Sequence, residues 1–201
     1  MACIFSKILL RLYDKKNVSI LLSLVFLGSN LFFYSTTEPC MSHAYTFSLG
    51  STIMYLTTKI FEKFELKTAI LFGVILGLLF LVRPTNIIFG LVCFFFNVFS
   101  WKSFKKRLLW SLENSKLLAL TILVALAVCS VQFIYWKWAT GDWIFNSYVG
   151  ERFYFDRPRI LNFLFSYRKG WLVYSPIFIL SFLGLFKMYK NKNEWGLPVI
   201  I

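Results

Sequence analysis

The chain has 201 residues, of which 58% are hydrophobic and 20% aromatic, and a formal net charge of +13. Soluble domains hold about 45–50% apolar residues, so this excess, with a mean hydropathy of +0.67, excludes an ordinary globular domain built on one buried core. The charge does not mark a nucleic-acid binder, because the Lys and Arg residues punctuate apolar stretches and do not line one face.

Residues 1–16 form a basic opening with Lys7, Arg11, Lys15 and Lys16. The apolar run after it is too long for a cleavable signal peptide. Six uncharged stretches follow, read as membrane helices: Asn17–Thr37, Pro39–Thr58, Thr68–Val82, Pro84–Trp101, Leu117–Trp136 and Gly170–Phe186. A bilayer core takes about 20 apolar residues in a helix. Thr68–Val82 is short for this, and needs Lys67 or Arg83 to reach toward a headgroup. The same stretch holds Gly73 and Gly77, four apart and so on one helix face, where they suit plain helix packing. Trp195–Ile201 reads as the start of a seventh apolar segment, so the chain is expected to be a fragment.

The expected fold is therefore all-α. It is a polytopic transmembrane helical bundle of about six helices plus the start of a seventh, forming a single domain over residues 1–201. Basic residues orient it. With the opening segment in the cytoplasm, fifteen of the 22 Lys and Arg fall inside and seven outside, as the positive-inside rule requires. Six of the outer seven lie in one long external loop, residues 137–171. Within that loop Pro158 suits the first turn of a short helix. Ile160, Leu161, Phe163, Leu164 and Phe165 would give that helix an apolar face to lie on the membrane. The inner stretch Trp101–Trp110, with Lys102, Lys105, Lys106 and Arg107, could meet anionic headgroups, but topology alone produces such a cluster. Cys3, Cys40, Cys93 and Cys129 are scattered, and define neither a disulfide framework nor a cysteine metal site.

Charge at the outer boundary is where chemistry is expected. Glu38 lies between the first two stretches, and Pro39 would place it at a helix N-cap. Its carboxylate serves either as that cap, as a general base, or as a ligand to a divalent cation. His43 is the only histidine. With one Glu it makes no zinc site, and it reads as an interfacial side chain or a hydrogen-bond partner of a polar ligand. Arg83 either snorkels at a helix end or binds phosphate through its fork of donors. Lys137, Arg152, Arg157, Arg159, Arg168 and Lys169 add positive charge where the positive-inside rule does not put it, which argues for an anionic ligand reached from outside. The loop aromatics are either a membrane belt or platforms for sugar rings.

Several strings in this order resemble bacterial polytopic glycosyltransferases of the GT-C class, near the protein O-mannosyltransferase and aminoarabinose-transferase-like enzymes. They are Glu38-Pro-x-Met-Ser-His-x-Tyr-x-Phe47, Leu81-Val-Arg-Pro-Thr-Asn86, Tyr135-Trp-Lys-x-x-Thr-Gly141, Ser147-Tyr-x-x-Glu151, Leu164-Phe-Ser-Tyr-Arg-Lys-Gly170 and Tyr174-Ser-Pro176. The resemblance implies transfer of a sugar from a polyprenyl-phosphate lipid donor to a glycan, lipid or protein acceptor at the outer face of the bacterial inner membrane. It implies that Glu38 is the acidic residue of the second external loop. It places Arg83, Lys137, Arg168 and Lys169 about the donor phosphate, and His43, Tyr148 and Glu151 in the substrate cavity. It calls for no fixed cofactor, a divalent cation remaining open. The main catalytic carboxylate of this class lies in a first external loop, which is expected upstream of Met1. The alternative is a non-enzymatic polyprenyl-lipid binder or a flippase component. Transporters keep charge mid-helix, whereas these stretches are free of it. A third reading is a structural subunit that packs through small-residue faces such as Gly73 and Gly77.

Overall fold

A computed structural model describes residues 2–145, 156–167 and 170–200. Among these residues all regular structure is helical. The helices are α1 (Ala2–Leu9), α2 (Lys15–Leu27), α3 (Leu31–Thr36), α4 (Ser42–Glu62) and α5 (Leu66–Val82). A 3-10 turn (Pro84–Ile88) leads into α6 (Phe89–Phe95), followed by α7 (Trp101–Glu113) and α8 (Ser115–Thr140). The chain continues with α9 (Ile160–Phe165), α10 (Trp171–Tyr174), α11 (Phe178–Lys190) and α12 (Gly196–Ile200).

The expectation of six long membrane helices needs correction. One helix, α8, is long and apolar enough to cross a bilayer. At 1.5 Å per residue its 26 residues extend about 39 Å. Helix α5 is continuous and apolar but has only 17 residues, and local chemistry breaks or polarises the rest. The first stretch stops at Gly28-Ser29-Asn30, where the Ser29 hydroxyl donates back to the Val25 carbonyl at 2.6 Å and accepts from the Leu31 N–H at 3.2 Å. That side chain takes over the bonds that a continuous helix would make. The second stretch begins its helix at Ser42, not Pro39, and continues to Glu62. The fourth opens with Pro84 in a 3-10 turn, and α6 ends at Phe95. The sixth is cut at Ser175-Pro176, since proline has no N–H to donate.

Three helices form the centre. A three-residue connection turns α4 back into α5, so the two run antiparallel. Ile53, Leu56, Ile60, Phe72 and Leu79 make their shared core. Helix α8 packs on α5 in parallel, through the two glycines. A methyl on Gly73 would lie 2.6 Å from the Thr121 carbonyl and 2.9 Å from the Val124 Cβ; one on Gly77 would lie 2.6 Å from the Val128 Cβ. No side chain fits there, and the backbones approach closely because none is present. The Thr121 hydroxyl reaches across to the Ala69 carbonyl at 3.2 Å. One end of this layer, here the upper end, therefore gathers the start of α4 and the ends of α5 and α8. The lower end gathers the end of α4 and the starts of α5 and α8.

The opening segment is not a free basic lead-in. Helix α1 lies along α4, with Phe5 edge-on to Phe47 at 5.4 Å and Arg11 paired to Glu62 at 2.8 Å. Near the lower end Ile8, Phe96 and Trp195 form a second buried cluster, which draws residues of α1, the end of α6 and the approach to α12 together. The outer side of α8 is exposed along its length, at Ile122, Leu123, Leu126, Val131 and Ile134.

Candidate functional site

The upper end carries most of the described residues expected to act. Glu38 lies in the connection from α3 to α4. Its N–H bonds the Phe33 carbonyl at 3.2 Å and its carbonyl accepts from Met41 at 3.1 Å. Its expected place at an N-cap is corrected: Met41 occupies that position, because the Glu38–Met41 turn delays the helix to Ser42. The Glu38 side chain is exposed. His43, in the first turn of α4, packs its ring on Tyr34 of α3, with centroids 4.2 Å apart. This contact closes the connection that holds Glu38.

Arg83 ends α5 and is exposed. Its carbonyl accepts from the Asn86 N–H at 2.8 Å, which makes a tight turn around Pro84. Asn86 is buried, and its amide donates to the Thr46 hydroxyl at 3.0 Å and the Leu79 carbonyl at 3.3 Å. The turn that carries Arg83 is thus clasped to α4 at Thr46. His43 is three residues earlier and so a surface neighbour of Thr46. In the sequence Asn86 stands in the Leu81–Asn86 motif without a role of its own. The signal available was a lone amide after a helix-ending proline, too common to single out.

Lys137 reaches the same end because α8 parallels α5. Phe133, one turn earlier, touches Phe80 at 5.6 Å. Helix α8 runs through Lys137 to Thr140, so the long connection starts later than expected. Gly141 closes the helix at φ 83°, a left-handed conformation that favours glycine. The Lys137 ammonium donates to the Gly141 carbonyl at 2.6 Å and stands 5.7 Å from the centre of the Trp143 ring. An ammonium has three donors, and this bond uses one.

Of the remaining expected residues, Tyr148, Glu151, Arg152, Arg168 and Lys169 lie outside the described residues. The short helix of the long connection is present as α9, starting at Ile160. Ile160, Leu161, Phe163 and Phe165 are exposed on it, as an interfacial helix would have them. The Tyr174 hydroxyl donates to the Tyr167 carbonyl at 2.8 Å and ties the following segment back to it. Among the described residues, no three His, Cys, Asp or Glu side chains meet where they could hold a metal ion.

The upper end can therefore offer a carboxylate, an imidazole and two cations on connections held together by Asn86 and by the α5–α8 contact. These groups share one end of the layer; cations there can meet an anion and the carboxylate can accept a proton. No protein-family model matches the chain, and neither a curated protein nor a solved structure matches it.

Proposed function

We propose that this chain is the membrane part of a glycosyltransferase that moves a sugar from a polyprenyl-phosphate donor to an acceptor outside the cytoplasmic membrane of a bacterium. What carries the reading is the meeting of the Glu38, His43, Arg83 and Lys137 connections at one end of an apolar helical layer. In this reading α8, α5 and α4 as far as Thr58 cross the bilayer, and the interrupted pairs α2–α3, the 3-10 turn with α6, and α10–α11 cross as broken helices. Broken helices are tolerated in membranes where neighbouring groups satisfy the backbone. The 17% burial of the most apolar part of α8 suits a lipid-facing helix better than the core helix of a soluble domain.

The chemistry follows from charge. The lipid phosphate leaves as an anion, and Arg83 and Lys137 beside it lower the energy of the charge that develops. Glu38 takes the proton of the acceptor hydroxyl or orients it, with His43 holding its connection. A divalent cation on Glu38 would belong to the same scheme. The acceptor is a glycan, a lipid or a protein hydroxyl.

Two substitutions separate the roles. Glu38→Gln is expected to lower transfer at least about a hundredfold while leaving donor affinity within about twofold, the usual scale for a lost general base. Arg83→Ala is expected to weaken binding of a polyprenyl-phosphate sugar about tenfold or more, the cost of a charge-assisted bond. Turnover and donor binding by the full-length enzyme in nanodiscs measure both. Unaltered turnover by the first and unaltered affinity in the second would defeat the assignment.

A further inference from the structure

The lower end carries a cavity that the donor site does not use. Its volume is about 640 Å³, and Asn97, Ser100, Ser103, Lys106, Arg107 and Lys192 line it. Among the described residues its lining holds three cations and no carboxylate. Ser103, Lys106, Arg107 and Trp110 share one face of α7 by their spacing of three and four. Arg107 is held from two sides. It donates to the Phe96 carbonyl at 2.5 Å, and its guanidinium lies 3.8 Å from the centre of the Phe61 ring. Its Nε is nonetheless buried with no hydrogen-bond partner, a costly state for a charged donor.

The backbone points the same way. Two non-glycine residues among those described have left-handed backbone, Asn97 at φ 58° and Lys192 at φ 50°. Both line this cavity. Lys192 follows the last residues of α11, where its N–H bonds the Tyr189 carbonyl. Glycine is the favoured residue at such a place. A lysine there costs backbone energy and delivers an ammonium to the cavity. Strain of this kind collects where a side chain has work to do.

We propose that this cavity binds a phosphate-bearing anion, gripped by Lys106, Arg107 and Lys192, and that the headgroup of an anionic phospholipid supplies it. The lipid source follows from α7 itself. Trp101, Leu108, Leu109 and Leu112 are exposed on it beside Lys102 and Lys105, the composition of a helix that lies in a membrane surface. The site is at the opposite end from Arg83 and Lys137. It does not rest on the transferase reading, and its loss leaves donor binding unchanged.

The test is thermal unfolding of the whole chain in an uncharged maltoside detergent, with added phosphatidylglycerol, phosphatidylcholine or sodium phosphate. A ligand of the folded state raises the melting temperature. Phosphatidylglycerol is expected to raise it, and phosphatidylcholine is not. A rise with sodium phosphate as well supports a site for the phosphate group, whereas a rise with sodium phosphate and none with phosphatidylglycerol would overturn the lipid as its source. Lys192→Gly separates ligand from scaffold. Without lipid it should melt at or above the wild-type temperature, and it should bind phosphatidylglycerol roughly tenfold more weakly. Lys106→Ala should weaken binding similarly, while Lys16→Ala, exposed on α2 and outside both α7 and the cavity lining, should not. No rise with either anion, full binding by Lys192→Gly, or an equal loss in Lys16→Ala would overturn the proposal.

Discussion

Asn86 donates to Thr46 on α4 and to the Leu79 carbonyl on α5, so one amide sets where the Arg83 turn lies against the α4 entrance. Asn86→Ala removes both bonds, the Leu79 carbonyl keeping the one from the Arg83 N–H at 3.0 Å, and the loss of two hydrogen bonds is expected to cost about 1–3 kcal/mol. Thermal unfolding in detergent checks it, and a wild-type melting temperature would mean that the clasp contributes nothing. Glu62 is the corresponding residue at the lower end. The bond from Lys59 holds its carboxyl below the ordinary 4.5, aided by Arg11 and opposed by burial. A carboxyl lowered in the folded state stabilises above its unfolded value, and that contribution fades as pH falls through the folded one. The side chain is half exposed, so solvent screening keeps the effect under about 1 kcal/mol. The stability gap between wild type and Glu62→Gln should be level from pH 7 to about 5 and close below about 4. A gap that widened in acid would contradict the pairing.

At the scale of elements, the parallel contact of α5 and α8 decides which ends meet. Gly77→Leu would force a side chain into the Val128 Cβ and the Ala125 carbonyl, 2.6 and 3.0 Å from an added methyl. The variant is expected to lose about 1–3 kcal/mol or more, whereas Gly184→Ala, with open space around it, should melt close to wild type. Equal melting of the two would remove the glycine contact as the organiser of the layer. The glycine spacing marked one helix face for close packing but not its partner, and the apolar runs marked where most helices lie. The breaks were not. Gly28-Ser29-Asn30 is uncharged, so a search for uncharged runs passes over it, although its hydroxyl captures the helix bonds. Nor could the docking of α1 be read, because it depends on Phe5 meeting Phe47 and Arg11 meeting Glu62, contacts that no local pattern encodes. The candidate site was half visible. Glu38, His43, Arg83 and Lys137 stand out as charge or imidazole at apolar boundaries. The lower cavity needed the chain near Lys192 folded back onto α7, and so stayed hidden.

At the scale of the molecule, a donor site at one end of the layer and a lipid site at the other, as proposed, require a membrane between the two. Cys40 and Asp142 mark the upper end and Lys102 the lower one; the three are exposed. The decisive measurement is labelling with a membrane-impermeant maleimide in intact spheroplasts, on a chain whose Cys3, Cys93 and Cys129 are serine. Cys40 itself, and Asp142→Cys in a chain also lacking Cys40, are expected to label from outside. Lys102→Cys in that same background is expected to label only after permeabilisation. Labelling of Lys102→Cys from outside, with Cys40 and Asp142→Cys protected, would contradict an external grip on the donor phosphate.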